Sequence, residues 1–354
     1  MILKLLLIFK KNLLPFIILF IIGCSAEDSS SNKSSWSLSE GMEYPKGNQL
    51  SRAEDGVILD DGTLIVADQR HGLAKIDLSG NVTPFGNFEA LEYAHNPPKV
   101  ESGPNGVHLS PDKKFVLTAD VFNGKIYKSS IESNSTEILY SHEYGVNTAR
   151  EDSTGAVWFT QSTENQNEER VFEALERAIP DGALYRISSF EGEVTPELII
   201  DGLYFANGFY IDERSNKFYL SEMMKNRVLV FDLDLSTGSL SNQVILASIP
   251  TPDNMELNHD GRLWVASLLS NQILAIDLET GDTSVVFDAQ TEVGHENLQI
   301  GLQDMENGEG FADLLTEELI GDMPGLLTGM IIGDNSQPFY VANLGSALIK
   351  VSKE

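Results

Sequence analysis

From about residue 50 onward one unit recurs six times, and that recurrence limits the possible folds more than any other feature of the chain. The copies are "GVILDDGTLIVADQRHGLAKIDLSG" from Gly56, "GVHLSPDKKFVLTADVFNGKIYKSSI" from Gly106, "TAREDSTGAVWFTQS" from Thr148 continued by "GALYRISSFEG", "GFYIDERSNKFYLSEMMKNRVLVFDLDLSTG" from Gly208, "MELNHDGRLWVASLLSNQILAIDLETG" from Met255 and "GMIIGDNSQPFYVANLGSALIKVS" from Gly329. Each is an alternating strand, a turn of Asp, Gly or Asn, a β-branched and aromatic strand, a short loop, a third strand and a weaker fourth. The starts lie 42 to 74 residues apart. Such a period specifies an all-β, six-bladed β-propeller over residues 46–354; a two-sheet sandwich does not need the same turn and strand chemistry six times. Two segments break the period and are expected as lids: 162–181, helical at its centre, and 291–328, long and acidic.

The phase of the repeat locates a site. The last residues of the second strands are Asp68, Asp120, Gln161, Glu222, Ser267 and Asn343, and counting back 14 or 15 positions, two strands and a turn, reaches Glu54, Asn105, Asn147, Asn207, Asp253 and Thr328. All six carry side-chain oxygen. The first strand of a propeller blade lines the central channel, so these residues converge on its axis. An Asn or Asp before a strand alone makes a turn, but six oxygen carriers in phase, Glu54 being a poor turn former, specify a ring. Carboxylate and amide oxygens without His or Cys suit a hard cation, Ca²⁺ ahead of Mg²⁺ or Zn²⁺. The loops after the second strands open on the same face, placing Arg70, His71, Phe122, Met223 and Met224 near its mouth, with Arg70 and His71 candidates for substrate contact or solvated turn residues. Strand alternation points His108, three residues after Asn105, away from the channel as a packing residue. Trp158 and Trp264, at equivalent second-strand positions, are expected to pack the blades.

The N-terminus reads as an export signal. Lys4, Lys10 and Lys11 precede an apolar run from Leu13 to Ile22, followed by Gly23 and Cys24. Residues 21–24 resemble a lipobox, which makes Cys24, the only cysteine, an acylation site at the end of a signal peptide spanning 1–23; an uncleaved anchor is the alternative. Ser25 in place of Asp favours the outer membrane by the same resemblance, and the serine-rich segment 24–45 is expected to be a flexible tether. With 24 basic and 53 acidic residues the net charge is −29, which excludes nucleic acid as a partner.

The segments "AEDGVIL", "GVNTAREDSTGAVWFT", "LYFANGFYIDERSNKFYLSE" and "TPDNMELNHDGRLWVAS" resemble the senescence marker protein, gluconolactonase, strictosidine synthase and paraoxonase superfamily of six-bladed propellers. In the gluconolactonase and regucalcin branch the resemblance implies a divalent metal held at Glu54, Asn207 and Asp253. The paraoxonase branch implies calcium held at Glu54, Asn147, Asn207, Asp253 and Asn254, and all five residue types match. That branch has a catalytic His where this chain has Asn105, and an Asp where it has Thr148. Strictosidine synthases do not rely on a metal ring, so an intact ring argues against their chemistry.

The resulting expectation is a calcium-dependent hydrolase of lactones or simple esters. Asp253 would be the base that activates water, and Asn105 and Asn147 would contact substrate. A surface propeller that binds a ligand or partner around a structural calcium is the alternative reading. A lipid-anchored monomer is the expected form.

Overall fold

The computed structural model describes residues 35–91, 93–95, 102–165, 167–333 and 338–352. The expected signal peptide, Cys24 and the first part of the tether lie outside these residues. The described residues fold as one unit of six sheets, antiparallel except for one short edge strand. The innermost strands are Gly56–Ile58, Pro104–Leu109, Val146–Glu151, Ala206–Asp212, Pro252–Leu257 and Leu327–Ile332, one per blade. Each is followed by its blade's second and third strands in order, as the repeat predicts. Apolar positions on both faces of each blade pack against the next blade, so the core is a set of clusters between blades rather than one central mass. Trp158 and Trp264 lie in these clusters, as expected. Trp158 donates from Nε1 to Asp152 Oδ2 at 2.8 Å, and Trp264 meets Phe339 edge-on at 5.1 Å.

The ring is closed from the N-terminal side. Glu43–Tyr44 pairs with Leu348–Ile349 and is the outermost strand of blade six, while Trp36–Ser37 runs parallel to Phe287–Asp288 on the outer edge of blade five. The expected tether over 24–45 is therefore corrected for its second half. Serine content suggested a free linker, but Trp36, Leu38 and Met42 supply apolar surface that packs on the cluster between blades five and six.

Both insertions carry helices, α1 (Asn167–Glu173) and α2 (Glu292–Glu306), with a short α3 (Glu317–Ile320) before blade six. Thr291 caps α2 by accepting from the Gly294 amide at 2.9 Å. The insertions are joined to each other. The Phe311 amide donates to the Leu175 carbonyl at 2.8 Å, and Arg177 forms a β-bridge with Glu309. Val171, Leu175, Met305, Phe311 and Leu319 from the insertions share one apolar cluster with Phe122, Met223 and Leu268 from the blade loops. The lids thus sit where the repeat phase puts them, over the start of the inner strands.

In five of the six blades the pairing of first and second strands shifts register immediately after the ring position, between Pro104 and Val107, Val146 and Ala149, Ala206 and Phe209, Pro252 and Met255, and Leu327 and Gly329. A bulge sets two residues against one and rephases the side chains beyond it. The ring residue and the third residue after it therefore both face the channel. This corrects the expectation for His108, which lies 3.7 Å from both Asp55 and, on the opposite blade, Glu256. Arg150 and Tyr210, in the same phase on adjacent blades, stack at 5.3 Å, and Arg150 pairs with Glu256 at 2.5 Å.

Closure depends on few contacts. Tyr44 packs 5.4 Å from Tyr340 and donates its hydroxyl to the Asp77 carbonyl of blade one at 3.0 Å. Tyr44→Ala is expected to lower stability by about 2–3 kcal/mol, seen as a lower urea midpoint with an unchanged slope.

Candidate metal centre

The six in-phase residues do converge. Glu54, Asn105, Asn147, Asn207, Asp253 and Thr328 all line one cavity of about 60 Å³ at the channel mouth. Its floor is polar and its walls are apolar, with Val121, Phe122 and Phe205 from the blade loops and Val171, Phe172 and Leu175 from the first lid. The second lid acts from behind, through its packing on the same loops.

Four of the six ring carbonyls are held by a side chain of a neighbouring blade. Thr328 Oγ1 donates to Glu54 O at 2.8 Å, Thr160 Oγ1 to Asn207 O at 2.9 Å, Ser221 Oγ to Asp253 O at 2.7 Å, and Asn105 Nδ2 to Asn147 O at 3.2 Å. With these carbonyls satisfied, the side chains are left to point inward. Glycines after two of the ring asparagines permit the close approach. A Cβ on Gly106 would stand 2.9 Å from Thr148 Cα, and one on Gly208 would stand 2.7 Å from Asn254 Cα.

The carboxylates sit in a strained electrostatic setting. Glu54 and Asp253 are 2% and 4% exposed. Burial, reinforced by the charge of Asp253, pushes the Glu54 carboxyl up to about 8, against the pull of Arg52 and the Asn254 hydrogen bond. Burial also raises Asp253 well above the usual carboxylate range, with Arg52 opposing. Glu54 Oε1 accepts from Asn254 Nδ2 at 2.9 Å. Glu54 Oε2 and Asn207 Oδ1, both buried acceptors, have no hydrogen-bond partner. Two orphan oxygens on the wall of one cavity, beside two buried carboxylates, match what a hard divalent cation requires, and a neutral apolar filling would leave both unsatisfied. Among the described residues no three His, Cys, Asp or Glu side chains are grouped so as to hold a metal ion, so amide oxygens would have to complete a donor set built on Glu54 and Asp253.

Asn254 stands behind this set. Its nitrogen is directed to Glu54 and its oxygen takes the Thr148 hydroxyl at 3.5 Å, so in this arrangement it orients Glu54. Arg70 and His71 do not reach the ring. They line a separate cavity of about 520 Å³ with Phe88 and Tyr93, and His71 Nδ1 lies 2.5 Å from the buried carboxylate of Asp68. Asp68 also accepts from the Ser51 amide at 2.8 Å. Of the two readings for Arg70 and His71, substrate contact or solvated turn, their partial exposure away from the central cavity fits the solvated turn. Of the loop methionines, Met223 lines the central cavity, while Met224 is buried in the lid cluster.

Arg52 is the charged member of the lining that the repeat does not signal. It precedes Glu54 by two residues and falls outside the ring's phase. Its guanidinium donates to Pro104 O at 2.7 Å and to Asn105 Oδ1 at 2.8 Å, and lies 5.2 Å from the Phe122 ring centre.

Comparison with known proteins agrees with this fold. Residues 141–293 match the SMP-30/Gluconolactonase/LRE-like region. That stretch contains Asn147, Asn207, Asp253 and Asn254; Glu54, Asn105 and Arg52 lie outside it. Regucalcin of Danio rerio is 30% identical over 107 residues, 29% of this chain and 35% of the relative. The chain spans about a third of the length of the curated relatives it matches. Among solved structures, a gluconolactonase from Xanthomonas campestris superposes with a TM-score of 0.58 at 15% identity, over 85% of this chain and 86% of its own. Regucalcin from Agrobacterium tumefaciens, a calcium-binding protein, gives 0.57 at 13% identity, over 87% and 86%. Identities this low show the shared propeller fold alone.

The raised carboxyls fix the pH behaviour of the metal-free protein. Between the ordinary Glu value of 4.5 and about 8, the folded state holds a proton on Glu54 that the unfolded chain has released. Stability then falls as pH rises through that window. Metal-free protein is expected to melt progressively lower from pH 5 to pH 8 by calorimetry, and Glu54→Gln to flatten the profile. Calcium titration at pH 7 in buffers of different ionisation enthalpy is expected to report proton release on binding.

Proposed function

We propose that this protein is a divalent-metal-dependent hydrolase of lactones or simple esters, with Ca²⁺ as the metal. The observation that carries the reading is the lidded cavity in which Glu54, Asn207 and Asp253 meet with two buried oxygens unpartnered. The SMP-30/gluconolactonase-like match and the similarity to regucalcins support the same class.

Glu54, Asn207 and Asp253 would hold the cation, with Asn147 as a further amide at the cavity wall. When bound, a divalent cation supplies Lewis-acid polarisation of a substrate carbonyl. The chain's own groups do the rest. Asp253 at the wall is the candidate base, taking a proton from the attacking water through its carboxylate. Asn254 keeps Glu54 in orientation, and the Ser221 hydroxyl fixes the backbone that carries Asp253. The apolar lid wall excludes bulk water, which strengthens every charge–dipole interaction at the floor. The cavity is narrow between its polar floor and the lid wall, about 60 Å³, and movement of the lids would widen it for substrate.

Sequence also supports a location. The signal-like N-terminus and Cys24 suggest an exported lipoprotein, placed at the outer membrane and acting as a monomer on small molecules. Palmitate labelling of the full chain, abolished by Cys24→Ser, is the direct check.

For the reaction itself, a panel of lactones and aryl esters is expected to be hydrolysed by calcium-loaded protein and not after EDTA. Asp253→Asn should reduce kcat by about 10²-fold or more, with fold retained. Equal, poor turnover by loaded and stripped protein alongside calcium-dependent melting would instead favour a binding propeller with a structural ion.

A further inference from the structure

We infer that Arg52 makes the central cavity selective for a ligand with one negative charge, so that the preferred substrate is a carboxylate-bearing lactone or ester; the substrate assignment rests on the metal-dependent reading above.

The charges lining the cavity are one arginine, Arg52, and two carboxylates, Glu54 and Asp253. With both acids ionised the lining carries a formal charge of −1, and a divalent cation changes it to +1. A loaded cavity is then complementary to a single anion, and an apolar, lidded wall of Phe122, Phe172 and Phe205 weakens the screening that would blur that preference.

Arg52 is built for this position rather than left there. Its backbone lies in the left-handed region at φ 56°, which a non-glycine residue adopts only when its surroundings hold it. The Ser51 amide is tied to Asp68 at 2.8 Å and the Ala53 amide to the Gly345 carbonyl at 3.2 Å. The guanidinium is fixed by the Pro104 carbonyl, by Asn105 Oδ1 and by the face of Phe122. Both hydrogen-bond acceptors are neutral, so the planar fork is oriented without its charge being cancelled by them. Asn105 is changed by the same bond. Its oxygen is taken by Arg52 and its nitrogen by the Asn147 carbonyl, so the positive group, and not the amide, is the recognition element of this wall. The selectivity is local, because a chain with a net charge of −29 repels anions at long range.

A rival role on the same residues is that Arg52 only offsets Glu54 and Asp253 when no cation is present. The two roles separate by calorimetry on the full chain. Calcium is titrated first; acetate and its neutral isostere acetamide are then titrated into the loaded protein. Acetate is expected to bind at least about tenfold more tightly than acetamide, the scale of one charge-assisted hydrogen bond. Arg52→Met should abolish that difference while leaving calcium affinity equal or several-fold tighter, and Arg52→Lys should keep part of it. Acetate binding that equals acetamide binding, or that survives Arg52→Met unchanged, overturns the inference. If Arg52→Met does not fold, Arg52→Lys takes its place, and a preference for acetate over acetamide as large as that of the unaltered chain overturns the inference. Kinetics add the substrate test: Arg52→Met is expected to raise KM about tenfold for a carboxylate-bearing lactone and to leave KM for a neutral one within about twofold. An equal effect on both lactones overturns the substrate class. If neither lactone turns over in the unaltered protein, the hydrolase reading fails, while the acetate titrations still decide the role of Arg52.

Discussion

The structure depends on how closely six inner strands approach one axis. Strands that start a few ångströms apart have no room for water between their backbones, so each carbonyl at the start needs a partner from the chain itself. Hydroxyls of Thr160, Ser221 and Thr328 and the amide of Asn105 supply those partners, always from an adjoining blade. The consequence reaches the site directly: with those carbonyls satisfied sideways, Glu54 Oε2 and Asn207 Oδ1 are left unpartnered at the cavity wall. Glycines at 106 and 208 are required by the same crowding. Side-chain oxygens held inward by neighbouring blades are preorganised, and a cation entering them has little reorganisation to induce.

Preorganisation has an electrostatic cost that the metal-free chain bears through protonation. Two carboxylates buried in one cavity cannot both ionise freely, and their raised pKa values, caused first by burial, express that cost. Arg52 relieves it in part, since its charge lowers both groups. The lids sharpen the conflict by removing water, which is also what makes any bound charge effective. Stability and function therefore pull in opposite directions at this ring, as is common where strain collects at a working site.

How much of this is legible in the sequence follows from which regularities survive in the chain. The blade count and the ring are periodic, so both can be read directly; the ring positions sit at a constant distance from the second-strand ends in every copy. Lids show as breaks in the period. His108 was mislaid because the alternation rule assumes a regular strand, and a bulge after each of five ring positions is invisible in composition. Arg52 lies off the phase and is brought to the cavity by a left-handed backbone at a non-glycine residue, which no local pattern announces. Arg70 and His71 have the right phase but line a separate cavity, with His71 held on the buried carboxylate of Asp68. The two short N-terminal strands belong to blades formed almost entirely by residues from the other end of the chain, so only long-range pairing reveals them.

The bulges do more than rephase side chains, since they build a second layer beneath the ring. Glu256 reaches Arg150 across two blades at 2.5 Å, and His108 stands 3.7 Å from Glu256 and from Asp55, whose Oδ2 accepts the Val107 amide at 2.8 Å. His108 is held neutral there, because burial and the nearby Arg150 charge push its imidazole well below the usual range. Below this layer lies another cavity of about 400 Å³, lined by His108, Arg150, Tyr210 and Glu256, and it shares no lining residue with the upper one. The channel is thus plugged at mid-height by side chains crossing between blades. A substrate for the upper site has one approach, from the lid side, and the residues that choose it must belong to the lids and the loops beneath them. In the proposed function selectivity and catalysis fall to different parts of the structure: the ring positions would hold the charge, and Arg52 together with the lids would decide what reaches it.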